Sequence, residues 1–289
     1  MTTRTLKLSD KRKKWVKGRN VVLRGNPLNY NAGLQSWYNR QIQKMIRKMA
    51  ADVKKEVTNL FKRLPVPTFS ADESIGSQAR ILMNKLTEKY ESLFAREGQN
   101  LVDEMMERNL EISATNINDT LKKLSGGLTI NSPLVPAALT DVVTASIAEN
   151  VSLIKSIPSQ YFKDVTGAVM RSITSGEGLY DLLPQIQKYE GITARRAELI
   201  AYDQTRKAYS SVNAAKLDRL GGKKFEWLHT GGSREPRESH MKMDGRIFTF
   251  ANLQAEQEAL GIPKEDRGLP GYPVNCRCRI NGVIDFDDD

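Results

Sequence analysis

The sequence predicts an α+β protein that is mostly helical in its N-terminal and middle regions and ends in a small β-rich C-terminal module. Two observations predict this class. Apolar residues recur every three to four positions over most of residues 30–220, which is the period of an amphipathic helix. After residue 221, short runs of alternating apolar and polar residues are separated by Gly- and Pro-rich pieces, which is typical of strands joined by loops.

Length and composition exclude several classes of protein. The 289 residues suffice for about two domains. No stretch approaches about 18 consecutive apolar residues, so we expect no transmembrane helix and no membrane partner. Two cysteines exclude a disulfide scaffold and suit a reducing compartment.

Positive charge is concentrated at the N-terminus. Residues 1–64 hold 17 Lys and Arg against 3 Asp and Glu, a balance of +14, whereas residues 65–289 hold 27 against 31, a balance of −4. This asymmetry predicts a basic arm over residues 1–29 that binds a polyanion. We expect double-stranded DNA, bound without sequence preference, and an acidic protein surface is the alternative. The predicted DNA-binding residues are Lys11, Arg12, Lys13, Lys14, Lys17 and Arg19.

A long-helix region is predicted over residues 30–130. Its first helix spans Leu34–Phe61 and ends at Pro65-Val66-Pro67. Lys and Arg cover much of the remaining helix surface. Such a helix could lie on a membrane, on a partner or on its own protein, and we favour its own body or a neighbouring protein. A second apolar period runs from Ile81 to Met105 and continues, as another helix, to about Lys123.

Residues 131–220 are predicted to be the helical part of a further domain. One helix covers Leu139–Ile157 and stops before Pro158, and another covers Ser159–Ser172. A short helix follows at Leu179–Tyr189. The last helix is predicted to begin after Thr193 as N-cap, and Gly221-Gly222 closes it.

The β-rich C-terminal module spans residues 221–289. Strands are predicted at 225–229, 246–250 and 279–286. The chain then ends in an acidic tail, Asp285-Phe286-Asp287-Asp288-Asp289, which we expect to be frayed.

Every histidine and cysteine of the protein lies in this module: His229, His240, Cys276 and Cys278. Two nitrogen and two sulfur ligands suit a structural zinc ion. The tight Cys276-x-Cys278 spacing departs from the usual C-x2-C pattern, so four unrelated roles and a disulfide stay open. A catalytic Cys–His pair lacks a visible oxyanion element or acidic partner.

A second means of cross-linking the module is an ion-pair scaffold. The loops 230–245 and 260–275 are long and poor in apolar residues, and a small β-module of this kind needs a cross-link. Arg237 and Asp244 could brace these loops by ion pairing instead of zinc. The poor ligand spacing favours the scaffold.

An ordered set of motifs over about residues 150–286 resembles the Mu F-like head morphogenesis proteins of tailed bacteriophages. Thr193–Gln204 is followed by Trp227–Gly232, Glu235–His240, Met243-Asp244-Gly245, Pro270-Gly271 and Asn275-Cys276-Arg277-Cys278. The residues that carry the resemblance as structural motifs are Trp227, Arg237, His240, Asp244, Gly245, Asn275, Cys276 and Cys278.

This resemblance implies a non-enzymatic minor capsid protein. Such a protein would lie in the host cytoplasm during assembly and then in the virion near the portal vertex. It would contact the portal protein and other head proteins, and act in head assembly or in genome packaging, delivery and ejection. One alternative is a DNA-binding packaging adaptor outside the particle. The other is a small metal-dependent hydrolase or nuclease that uses His229, His240 and Asp244.

Overall fold

The computed structural model describes residues 8–17, 21–63, 75–128, 139–176, 178–231 and 235–285. The helices in these ranges are α1 (Asp10–Val16), α2 (Ala32–Arg63), α3 (Ile75–Ser125), α4 (Thr140–Ser175), α5 (Gly178–Arg219), α6 (Glu238–Met243) and α7 (Leu253–Ala259). The strands are β1 (Val22–Pro27), β2 (Lys224–Leu228), β3 (Ile247–Thr249) and β4 (Arg279–Asp285). The predicted α+β class is confirmed.

The chain forms two compact units, each built from separate stretches of sequence. The first takes its residues from Met1–Leu34, Met105–Ser146 and Asp203–Asp289 and holds the sheet. The second takes its residues from Gln35–Glu104 and Ile147–Tyr202 and is helical.

Helix α2 confirms the first predicted helix. The Asn31 side chain caps it by accepting a hydrogen bond from the Leu34 N–H at 2.8 Å. Apolar residues three and four positions apart share one face of the helix, and this face is buried within the protein. The fully buried residues are Tyr38, Ile42, Ile46, Met49, Val53 and Val57. The predicted stop at Pro65-Val66-Pro67 lies outside the described residues.

The second predicted period forms one uninterrupted helix, α3. It ends where Gly126 and Gly127 adopt positive φ angles of 78° and 105°. The Gly127 N–H donates to the Lys122 carbonyl at 2.8 Å, which caps the helix.

The expected stop before Pro158 is wrong, because α4 continues through this residue. A proline in a helix loses one backbone hydrogen bond and costs about 3 kcal/mol. Pro158 is buried, and Tyr161, Phe162 and Val165 beyond it are at most 2 % exposed. The apolar burial that continues across Pro158 offsets this cost.

The predicted break between Tyr189 and Thr193 is also wrong. Helix α5 is continuous, and Thr193 lies buried in its interior instead of capping a new helix. Leu182, Ile186 and Ala197 lie on the same face as Thr193 and are buried with it. The apolar face keeps its phase through Gly191, so packing overrides the local helix-breaking signal.

The predicted arm over residues 1–29 contains two regular elements that the sequence analysis missed. Strand β1 pairs antiparallel with β4, with Leu23 opposite Ile284. Helix α1 is anchored on the end of α3, where the Ser9 N–H donates to the Ser125 carbonyl at 2.8 Å. Both elements tie the arm into the first unit.

The sheet has the strand order β1-β4-β2-β3, and its neighbouring strands are antiparallel. The three predicted C-terminal strands are confirmed, although Phe286 and the tail 287–289 lie outside the described residues. Phe225 and Trp227 on β2 are 0 % exposed and form the centre of the core. The described helices include none that is both long and apolar enough to cross a membrane.

Candidate functional site

The ends of two paired strands bring His229 and Cys278 together. Leu228 at the end of β2 lies opposite Arg279 at the start of β4. His229 follows the first of these residues and Cys278 precedes the second, so the antiparallel register makes them neighbours. The Cys278 Sγ lies 3.5 Å from the His229 Nδ1.

Helix α6 supplies His240, which is 3 % exposed. The helix begins after Arg237 and ends at Met243, which is buried in the core, and Asp244 is its C-cap residue. The Trp227 indole packs edge-on against the His240 ring, with centroids 5.5 Å apart. Gly245 follows the helix with φ of 71°, and its N–H donates to the Trp227 carbonyl at 2.8 Å. This turn, which favours glycine, fixes α6 beside β2.

Cys276 is placed by a tight turn. Asn275 has a positive φ of 60°, and its backbone N–H donates to the buried Asp203 carboxylate at 2.8 Å. The chain then alternates in burial, with both cysteines buried and Arg277 exposed. The alternation turns both sulfur atoms toward the same side.

Three of the four predicted ligands, His240, Cys276 and Cys278, form a compact group, and His229 contacts it through Cys278. The His240 Nδ1 lies 3.6 Å from the Cys276 Sγ and 3.5 Å from the Cys278 Sγ. These three ligand atoms are all within 4.8 Å of one another. His229 joins them through Cys278 at the more exposed edge.

These distances fit a tetrahedral zinc ion. Zn–S bonds of about 2.3 Å and Zn–N bonds of about 2.05 Å at tetrahedral angles place sulfur and nitrogen about 3.5 Å apart. The three Sγ–Nδ1 distances in the cluster are 3.5–3.6 Å. Cys276 and Cys278 are spaced more tightly than in the usual C-x2-C loop. Their sulfur atoms still point toward the same position, because the turn at Asn275 sets the direction of the chain at Cys276.

The two thiols differ in acidity because they face each other. A hydrogen bond from Cys278 lowers the pKa of Cys276, and His240 lowers it further. The hydrogen bond to Cys276 and burial raise the pKa of Cys278. One thiolate therefore forms first, and an ion must displace the second proton to gain both sulfur ligands.

The residues of the predicted ion-pair scaffold surround this cluster. The Arg237 Nε lies 3.4 Å from the Asp266 Oδ1, and the Arg237 guanidinium donates to the Val274 carbonyl at 2.8 Å. The Asp244 Oδ1 accepts the backbone N–H of His229 at 2.8 Å. Both side chains hold loops that carry residues of the cluster.

A cavity of about 510 Å³ lies against the cluster. Its lining includes all four of these ligands together with Glu235, Arg237, Asn275 and Arg277. The cluster is therefore within reach of small solutes.

Of the predicted DNA-binding residues, four are exposed on α1 or just beyond it: Lys11, Lys13, Lys14 and Lys17. Arg12 has another role, since its guanidinium donates to the Lys123 carbonyl at 2.9 Å and anchors α1 on α3. Arg19 lies outside the described residues.

Sequence reasoning missed Asp203, Asp266 and Tyr30 in this region. Asp203 lies within the quoted motif Thr193–Gln204 but carried no predicted role. The Tyr30 hydroxyl donates to the Cys278 carbonyl, and burial followed by the two sulfur charges raises the pKa of Tyr30. No spacing links Tyr30 or Asp266 to the cysteines, and only the fold brings them there.

Comparison with known proteins agrees with the resemblance. Residues 163–281 match the family described as Phage Mu protein F like protein. The chain is 33% identical over 271 residues to an uncharacterized protein from Haemophilus influenzae, an alignment that covers 91% of this chain and 56% of that protein. No solved structure matches.

Proposed function

We propose that this chain, whose residues 163–281 belong to the Mu F-like family, is a minor head protein of a tailed phage. The family match carries this proposal. The protein would be built into the particle in contact with the portal protein and other head proteins, and would act in head assembly or in packaging and ejection of the genome. Its role is structural and not enzymatic.

Purified particles provide the test of this proposal. We expect mass spectrometry to find the chain in mature particles, and cross-linking to join it to the portal protein. A chain that is present during assembly but absent from particles would instead be the packaging adaptor. Nucleotide release from DNA with a divalent metal would support the hydrolase.

The geometry favours a structural metal site over a hydrolase. With His229 as the fourth ligand beside His240, Cys276 and Cys278, a tetrahedral zinc ion would have no position left for an attacking water. Asp244, the carboxylate that a hydrolase would use, accepts the His229 backbone N–H at 2.8 Å. We therefore assign His229, His240, Cys276 and Cys278 to structural zinc in this proposal.

Elemental analysis and melting curves separate zinc from the scaffold. We expect about one zinc per chain, a lower melting temperature with a chelator, and loss of the metal in Cys276→Ser. Metal-free protein in which Arg237→Ala is more damaging than Cys276→Ser would overturn the zinc assignment in favour of the ion-pair scaffold.

The exposed lysines of α1 provide the proposed contact with duplex DNA. Helix α1 is held by Ser9 and Arg12 against α3, so its lysines are presented from a fixed element. We expect the triple variant Lys11→Gln, Lys13→Gln and Lys14→Gln to bind duplex DNA more weakly. The affinity of this variant should also depend less steeply on salt concentration. Binding that does not change between about 50 and 200 mM salt would contradict an electrostatic contact.

A further inference from the structure

The exposed face of α2 carries positive charge only. Between residues 40 and 62 of this helix, eight positions are exposed, and all except Ala51 are Lys or Arg. Six of them form what we call the basic stripe: Arg40, Lys44, Arg47, Lys48, Lys54 and Lys55. Lys62 extends the stripe toward the end of the helix.

The stripe is narrow and long. At 3.6 residues per turn, its members fall within an arc of about 120° of the helix surface. With a rise of 1.5 Å per residue, the six members extend over about 23 Å, and Lys62 lengthens the basic surface to about 33 Å. This length equals about one turn of duplex DNA.

The carboxylates of α2 lie outside the stripe and are only partly exposed. Asp52 is held by another element of the same unit, with Lys89 at 2.5 Å and the Tyr90 hydroxyl at 2.9 Å. Among the described residues, no acidic side chain forms an ion pair with a member of the stripe. Lys89 and, to a lesser extent, Lys55 lower the pKa of Asp52, so Lys55 is the member of the stripe that acts on a carboxylate. The other members present their charge to solvent without an ion-pair partner among the described residues.

The apolar face of α2, opposite the stripe, is buried within the protein. Ile42, Ile46 and Val53 are fully buried, so the helix has no apolar face left for a membrane or a partner helix. A protein partner would normally contact an apolar or aromatic centre with a charged rim. The stripe offers Ala51 as its only exposed non-cationic position.

We infer that the basic stripe of α2 is a second binding site for the phosphate backbone of duplex DNA. Cations without carboxylates or base-reading groups position a protein on phosphates and do not select sequence. This inference deepens the proposed function and rests on its DNA contact, but it uses residues outside the segment 163–281 that matches the family.

The test measures binding of the full-length chain to a labelled 30-base-pair duplex at several salt concentrations. The stripe variant is Lys44→Gln, Lys48→Gln and Lys55→Gln. The matched control is Arg80→Gln, Lys85→Gln and Arg96→Gln, which removes the same charge from the exposed face of α3 in the same unit. Gln has nearly the helix propensity of Lys and Arg, so circular dichroism should stay unchanged in both.

We expect the stripe variant to bind at least about tenfold more weakly at 100 mM salt and to reduce the slope of log affinity against log salt by about 2–3. The control should change affinity less than about twofold. Equal losses in both variants would overturn the inference, since net charge alone would then explain binding. Displacement of the duplex by polyglutamate at equal charge concentration would instead identify an acidic protein as the partner.

The α1 variant described above separates the two proposals. If that variant loses binding while the stripe variant binds like the control, the stripe inference fails and the α1 contact stands. If the wild-type chain does not bind the duplex at about 50 mM salt, both DNA contacts fail. The presence of the chain in particles tests the head-protein assignment independently.

Discussion

The carboxylate of Asp244 accepts the backbone N–H of His229 at 2.8 Å, 15 residues earlier in the chain. This bond ties the end of α6 to the end of β2, and each of these elements leads to or carries a histidine of the cluster. A side chain that lies outside the cluster thus links the segments that carry His229 and His240.

Replacement of Asp244 should therefore loosen the module. We expect Asp244→Ala to lower the free energy of unfolding by about 1–2 kcal/mol, because the His229 N–H loses its acceptor. Asp244→Asn keeps a carbonyl acceptor and should cost less. Urea unfolding of both variants measures the difference, and equal effects would mean that the charge, and not the hydrogen bond, matters.

Asp266 should tune metal affinity without touching the metal. The His240 Nδ1 faces the two sulfur atoms, and its Nε2 lies 3.9 Å from the Asp266 Oδ1. When Nδ1 binds zinc, the proton of the neutral ring is on Nε2. Among the described residues the Nε2 has no hydrogen-bond partner. A carboxylate beside a ligating histidine fixes its tautomer and raises its basicity.

We expect Asp266→Asn to weaken zinc binding by about 10–100-fold in competition with a chromophoric chelator. Glu265→Gln, at the neighbouring exposed position, provides the control and should bind zinc like the wild type. If wild-type protein binds zinc and Asp266→Asn has the same affinity, this role of Asp266 is disproved and the metal site stands.

Lys216 should make stability depend on pH in the alkaline range. The residue is 1 % exposed, and burial lowers its pKa to about 8. An unfolded lysine titrates near 10.4, so between about pH 8 and 10.4 the unfolded state binds the extra proton. The free energy of unfolding should therefore rise with pH in that window. Below about pH 8 the folded protein carries the charged Lys216, and the destabilisation caused by burying this charge is fully present.

Lys216→Met removes this buried charge and keeps an unbranched side chain. We expect it to raise the free energy of unfolding at pH 7 by about 1–3 kcal/mol and to flatten the alkaline rise. Lys122→Met, at an exposed position, should do neither. A destabilised Lys216→Met protein would mean that the ammonium group has a stabilising partner.

Two helical glycines should respond to alanine in opposite directions. A Cβ at Gly191 would meet only Arg195 at 3.7 Å, so Gly191→Ala should stabilise α5 by about 0.5–1 kcal/mol. A Cβ at Gly98 would lie 2.7 Å from the Ile154 Cγ2, so Gly98→Ala should destabilise the same unit by about 1–3 kcal/mol. Thermal unfolding of both variants tests the pair, and a stabilised Gly98→Ala would contradict this packing.

The prediction of elements succeeded where the periodicity was strong and failed where local signals opposed burial. Helix α2 and strands β2–β4 follow from apolar spacing. Pro158 and Gly191 predicted helix breaks, because a short stretch of sequence shows only intrinsic helix propensity. Burial of the apolar residues on both sides of Pro158 and Gly191 keeps α4 and α5 continuous. Strand β1 was missed, because its partner β4 lies more than 250 residues away.

The sequence predicted which residues could form the candidate site but not their arrangement. The four residues of the proposed zinc site were chosen by type and by proximity in the chain, and that they bind zinc stays a prediction. The resemblance to the Mu F-like family is confirmed over residues 163–281. The structure showed that both sulfur atoms lie close to the His240 ring, although the tight spacing of Cys276 and Cys278 in the sequence disfavoured a shared site. It also added Asp266 and Tyr30, which no sequence pattern connects to the cluster.

The sequence by itself determined the class of the fold, the concentration of positive charge in the first 64 residues and the set of residues able to bind zinc, because periodicity, charge and side-chain chemistry are local properties. The tertiary structure alone decided how these properties combine. Strand register placed His229 beside Cys278, and burial of one face of α2 turned its cations outward. Both are contacts between distant parts of the chain, whose energy no local window contains.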